Sequence, residues 1–231
     1  MASDCADIRL VPMTLLAAVL TPRAVFLGAD SQGITPNADK KKGYRNELVK
    51  FHQVGSAPLM WGAAGHTATA FPFSKWLGAQ NLTTWERLAK DAEYELAAIN
   101  DREDALSKGS RGSKQPHSER RSQVVVGGHL DERFDVLALP NGGLSSLLSD
   151  YLDDNQRETV LFSGGPEVDA QICWEVVKRV SPPEQFGFGT FSRFMEAFVQ
   201  CDARLGGPVR IWKVTKQEAL QVWPKAKSEA P

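Results

Sequence analysis

Two short apolar runs, Thr14-Leu-Leu-Ala-Ala-Val-Leu20 and Ala24-Val-Phe-Leu-Gly-Ala29, sit on either side of Thr21-Pro22-Arg23. Runs of this length, rich in Leu, Val and Phe, suit buried strands, and the Pro-containing triplet suits the turn between them. The spacing therefore predicts a hairpin. The start of one hairpin strand lies beside the end of the other, so Thr14 and Asp30 are expected to be neighbours at its open end. A Thr beside an Asp at the edge of a sheet is ordinary structural chemistry by itself, and the rest of the chain has to give the pair a purpose.

The remaining segments read in order as strands, two helices, strands, two helices and two strands. Residues 1–12 read as a loose tail and residues 32–46 as a polar loop. Leu48-Val-Lys-Phe-His52 begins a strand, and Pro58–Ala64 is another, stopping at Gly65. A first helix starts near His66 with Pro72 in its first turn or at a kink. Thr83-Thr84-Trp85-Glu86 reads as a capping box opening a second helix, lined by Trp85, Leu88, Ala92, Leu96 and Ile99. Residues 101–122, almost all polar and basic, read as a disordered surface insertion, with a solvated loop preferred over a nucleic-acid contact. Strands are expected at 124–128, 134–139 and 159–162, with turns at 131–133 and 141–143. Val168, Ile172, Val176 and Val180 line one face of a third helix, which Pro182-Pro183 ends. Phe191, Phe194, Met195, Phe198 and Val199 stripe a fourth. Strands at 209–214 and 220–223 close a domain spanning 14–224, followed by a polar tail at 225–231. Such segregated blocks suggest an α+β class, with two stacked sheets and helix pairs outside, a four-layer αββα sandwich.

Composition narrows the partners. The chain has 231 residues with net charge -1, which argues against nucleic acid or an anionic membrane as the main partner. Cys5, Cys173 and Cys201 are too few and scattered for a disulfide framework or a zinc site, and Cys173 and Cys201 are expected in the core. A reducing, cytoplasmic location fits. The head, with two Asp and one Arg, does not read as a signal peptide.

Several landmarks then fall in one order. Thr14 precedes Asp30 by sixteen positions. Lys50 opens the third strand, with Lys40, Lys41 and Lys42 as rivals because the preceding loop is long. Gly62-Ala-Ala-Gly-His-Thr-Ala-Thr-Ala-Phe71 resembles a bacterial G-F-A-G-G-T-A-D-A-F pattern, with His66 where a Gly is usual. Ser163-Gly-Gly165 follows, then Asp202-x-x-Leu205-Gly-Gly207, with Leu205 where a Ser is usual. In this order the chain resembles the proteasome β-type peptidases, the N-terminal-threonine branch of the N-terminal-nucleophile hydrolases. The likeness is closest to the peptidase subunit of the bacterial two-component ATP-dependent protease, and it runs from about residue 13 to residue 224.

The resemblance implies a threonine peptidase with Thr14 as nucleophile. Lys50 would favour the deprotonated hydroxyl and amine, Asp30 would fix Lys50, Ser163 and Asp202 would orient the amine, and the Gly65 N–H would serve the oxyanion. It implies a peptide or unfolded-protein substrate, a homo-oligomeric ring and an ATPase partner. It implies no organic cofactor, although relatives sometimes hold a structural monovalent cation at the positions of Asp202 and Leu205. The mechanism requires Thr14 to be the first residue. Translation from Met13 with removal of the Met is favoured over cleavage of a propeptide, since self-cleaving relatives generally carry Gly before the Thr. Two other readings stand beside this one: a non-catalytic proteasome-like structural subunit, and an amidohydrolase acting on a small amide.

Overall fold

The computed structural model describes residues 14–36, 42–45, 48–65, 67–109, 122–140, 144–151, 159–164, 167–185, 187–202 and 205–224. The expected hairpin forms from β1 (Leu16–Thr21) and β2 (Ala24–Ala29), with Leu16 level with Ala29. They are followed by β3 (Gly33–Pro36), β4 (Lys42–Arg45), β5 (Phe51–Gln53) and β6 (Leu59–Ala64). Helices α1 (Thr67–Gly78) and α2 (Trp85–Gly109) come next. Then come β7 (Gln123–Leu130), β8 (Arg133–Leu139), β9 (Ser146–Leu147) and β10 (Thr159–Ser163). Helices α3 (Glu167–Val180) and α4 (Phe188–Cys201) precede β11 (Arg210–Val214) and β12 (Ala219–Trp223).

One sheet runs β10-β1-β2-β11-β12 and the other β5-β6-β7-β8-β9. Strand alternation divides residues 15–20 between two cores. Leu15, Ala17 and Val19 meet Trp174, Phe191, Phe194 and Met195 of α3 and α4. Leu16, Ala18 and Leu20 meet Met60, Val125 and Val136 of the second sheet. That sheet's other face packs Trp61, Val124 and Leu137 against Phe73, Trp85 and Leu96 of α1 and α2. The result is an αββα sandwich. Because β1 is buried on both faces, the residues just before it are held at a fixed place on the sheet.

Several expectations change. Residues 33–36 and 42–45, read as loop, pair as a two-stranded ribbon. Helix α2 runs through 101–109, which the composition assigns to a disordered insertion. Glu103, Ala105 and Leu106 are good helix formers, and the helix ends at Gly109; 110–121 lie outside the described residues. The cap of α2 is Thr84, whose hydroxyl accepts the Arg87 N–H at 3.2 Å, and Glu86 pairs with Arg133 at 2.6 Å. Pro72 is inside α1, beyond its first turn. Cys201, at the last position of α4, is exposed and Cys173 is half-buried, so neither is a core residue.

The largest difference is at α3. Val168, Ile172, Val176 and Val180 are exposed, and the helix turns Ala170 and Trp174 inward instead. Two apolar stripes compete on this helix. The one carrying the indole buries more area per residue and wins the sheet.

Candidate active site

The site lies where the β1–β2 hairpin opens. Leu16 pairs with Ala29 on one side and Ser163 on the other, so the residues flanking them, Thr14, Asp30 and Gly164, gather at one edge. Lys50 arrives from the opposite sheet, directly before β5.

The Lys50 Nζ donates to Asp30 Oδ1 at 2.6 Å and to Thr14 Oγ1 at 3.2 Å. Asp30 Oδ1 also accepts the Leu15 N–H at 3.0 Å, and Oδ2 accepts the Gln32 N–H at 3.2 Å. The pair is nearly dry, with the Lys50 side chain 7% exposed and that of Asp30 not at all. Burial pulls the Lys50 ammonium below the ordinary lysine value, and the Asp30 charge opposes that. Burial likewise raises the Asp30 carboxyl, against Lys50 and the two backbone N–H groups. The rivals Lys40 and Lys41 lie outside the described residues.

Gly164 fixes the distance between the sheets at this point. It has φ +88, and a Cβ built there would stand 2.4 Å from Ala64 Cβ and 2.7 Å from the Thr14 carbonyl oxygen. Thr14, Gly164 and Ala64 are therefore in contact, and Gly65, with φ 121, is the next residue after Ala64. Gly164→Ala should lower stability by about 2 kcal/mol through its left-handed backbone alone, and push the Thr14 segment outward. Urea unfolding measures the first effect, and the reactivity of the Thr14 site the second.

Ser163 is 7% exposed and its hydroxyl donates to Gln123 Oε1 at 2.7 Å. The sequence reading assigned that hydroxyl to the Thr14 amine. Glu167 Oε1 accepts the Gly164 N–H at 3.0 Å. Neither Gln123 nor Glu167 was expected here. Gln123 is legible only once β7 is known to start level with Ala64.

Asp202 terminates α4, its N–H donating to the Phe198 carbonyl. The following loop reaches the site through Ser31, whose N–H donates to Gly206 O at 3.1 Å and whose hydroxyl donates to Pro208 O. Leu205 is buried against the α3–α4 core, which accounts for an apolar residue at this position. Among the described residues, the Asp202 and Gly206 carbonyls serve the Leu205 and Ser31 N–H groups, a donor set that does not by itself make a cation site. His66 lies outside the described residues. No helix among the described residues is long and apolar enough to cross a membrane.

No protein-family model matches the chain, and no curated protein does. Solved structures do. One is Anbu (ancestral beta-subunit) from Yersinia bercovieri, with TM-score 0.61 and 12% sequence identity, covering 90% of this chain and 86% of that one. At this identity the likeness is one of fold alone, the αββα sandwich described above.

Proposed function

We propose that this chain is a proteasome-like subunit with a latent threonine-peptidase site: a structural subunit while residues 1–13 stay attached, a peptidase once Thr14 is the first residue. The observation that carries the reading is the Lys50 ammonium shared between Thr14 Oγ1 and the buried Asp30 carboxylate. The likeness to a chain described as an ancestral beta-subunit supports the subunit part.

The chemistry follows from which protons are available. Lys50 donates to Thr14 Oγ1, so the hydroxyl proton is left to go elsewhere. A free α-amine, with a pKa of roughly 8, can take it, directly or through one water. The Thr14 oxygen then bonds to the carbonyl carbon of a peptide, and the Gly65 N–H serves the oxyanion. The amine returns the proton to the leaving nitrogen as the C–N bond breaks. Water hydrolyses the resulting ester and the hydroxyl is regenerated. Asp30 keeps Lys50 in place; the roles expected for Ser163 and Asp202 at the amine stay part of the proposal. With residues 1–13 attached the Thr14 nitrogen is an amide and this base is absent.

A permanently structural role is the second reading. The Ser163 hydroxyl is already engaged by Gln123, and the matched structure is described as a subunit. A threonine-directed epoxyketone separates the two. The chain beginning at Thr14 is expected to gain the mass of one probe and the full chain none. Absence of labelling in both would leave the structural role. A panel of peptides against small amides tests the amidohydrolase alternative.

A further inference from the structure

The hydrogen bond from Ser163 to Gln123 decides where one proton lies. Residues two apart on a strand share a face. Leu16 is level with Ser163, so Thr14 lies diagonally beside Ser163 on the face that looks toward the second sheet. Both side chains find partners across that gap, Thr14 in Lys50 and Ser163 in Gln123. Gln123 opens β7 level with Ala64, the residue that a side chain on Gly164 would strike. Ser163, 7% exposed, therefore has Gln123 as its partner between the sheets and Thr14 as its neighbour within its own.

A hydroxyl carries one proton and two acceptor lone pairs. The Ser163 proton goes to Gln123 Oε1 at 2.7 Å. Toward any other group Ser163 is then an acceptor only. This matters beside an amine that has to work as a base. A neutral amine has two N–H donors and a single lone pair. A neighbouring acceptor takes an N–H and leaves the lone pair for the Thr14 hydroxyl proton. A hydroxyl free to turn donates into the lone pair and competes with Thr14 for the base.

We propose that Gln123 is a positioning residue for the Thr14 base: it holds the Ser163 proton away from the amine, so that Ser163 orients the amine by accepting from it. The inference rests on the peptidase reading for its purpose, and its test reads the amine itself. The charged groups gathered at this edge, among the described residues, are Lys50, Asp30 and Glu167, with Asp202 at the end of α4. A substitution at 123 leaves all four in place.

The chain beginning at Thr14 retains both sheets and all four helices, and it is the form to use. Two substitutions change the acceptor at similar side-chain length. Gln123→Met removes it, and Gln123→Glu keeps it as a carboxylate that only accepts. The α-amine midpoint is read from the pH dependence of its acetylation by acetic anhydride, followed on the N-terminal peptide by mass spectrometry. In Gln123→Met the released Ser163 hydroxyl donates to the neutral amine, so the midpoint should fall by about one pH unit. Peptide turnover should fall about 10-fold with KM unchanged. In Gln123→Glu the midpoint should stand at or above that of wild type, and turnover should recover at pH values above it. Equal midpoints in wild type and Gln123→Met would overturn the inference. So would a fall in both variants, which is the mark of lost packing. Midpoints that shift as expected in a chain that hydrolyses no peptide would sink the peptidase reading and leave this placement of the proton standing.

Discussion

A chain that begins at Thr14 is expected to hydrolyse peptide bonds at least about 10³-fold faster than the same chain carrying residues 1–13, and Thr14→Ala is expected to remove the whole gain. The size follows from what the extension withholds. The hydroxyl, Lys50 and Asp30 are present in both forms, and only the base changes, from a backbone amide that cannot accept a proton to an amine that can. General-base assistance is worth roughly 10²–10⁴-fold. Initial rates on a short fluorogenic peptide measure the difference. Two equally inactive forms would favour the purely structural subunit. Activity in the full chain that survives Thr14→Ala would point to another nucleophile.

Lys50→Met should cost about 3–5 kcal/mol of stability near neutral pH. The substitution removes a cation paired with a carboxylate that has no exposed side-chain surface. Its pH dependence distinguishes this loss from simple repacking. Burial already holds Asp30 above the usual carboxylate value of 3.8, and removing Lys50 moves it higher. In the variant the folded state then binds more protons than the unfolded state, so stability falls as pH rises through the folded pKa. The deficit against wild type should be full at pH 7.5 and shrink steadily toward pH 4. Adding Asp30→Asn should recover much of it, because the buried charge is gone. Urea denaturation at several pH values reads all three. A deficit independent of pH would mean that Lys50 acts through its packing alone.

Most of the architecture was legible because both sheets are built from strands that alternate between two dry faces. The helices of the sandwich then follow from stripes around Trp85, Leu88 and Ala92, and around Phe191, Phe194 and Phe198. Local pattern failed where two solutions were equally good. On α3 the exposed aliphatic stripe is the more regular, yet Trp174 takes the core beside Phe162, Phe191 and Phe194. Asp101, Arg102, Ala105 and Leu106, in the last part of α2, are exposed. Polarity does not distinguish an exposed helix from a loop.

The meeting of Thr14 with Asp30 could be read from the hairpin alone. That Lys50 comes to Thr14 depends on how one sheet stacks on the other, which no spacing encodes. Gln123 was missed for the same reason, whereas Glu167 accepts the Gly164 N–H from only three residues along the chain, a local contact. Their partners, Ser163 and Gly164, sit on or just after β10, and Gln123 in particular reaches Ser163 only across the stacked sheets.

Selective acetylation of the α-amine in the chain beginning at Thr14, with peptide turnover measured before and after, bears most directly on the claim that one residue supplies both nucleophile and base. The hydroxyl, Lys50 and Asp30 are untouched by the modification. Turnover should fall to the level of the full chain. Undiminished turnover by the acetylated protein would contradict the account.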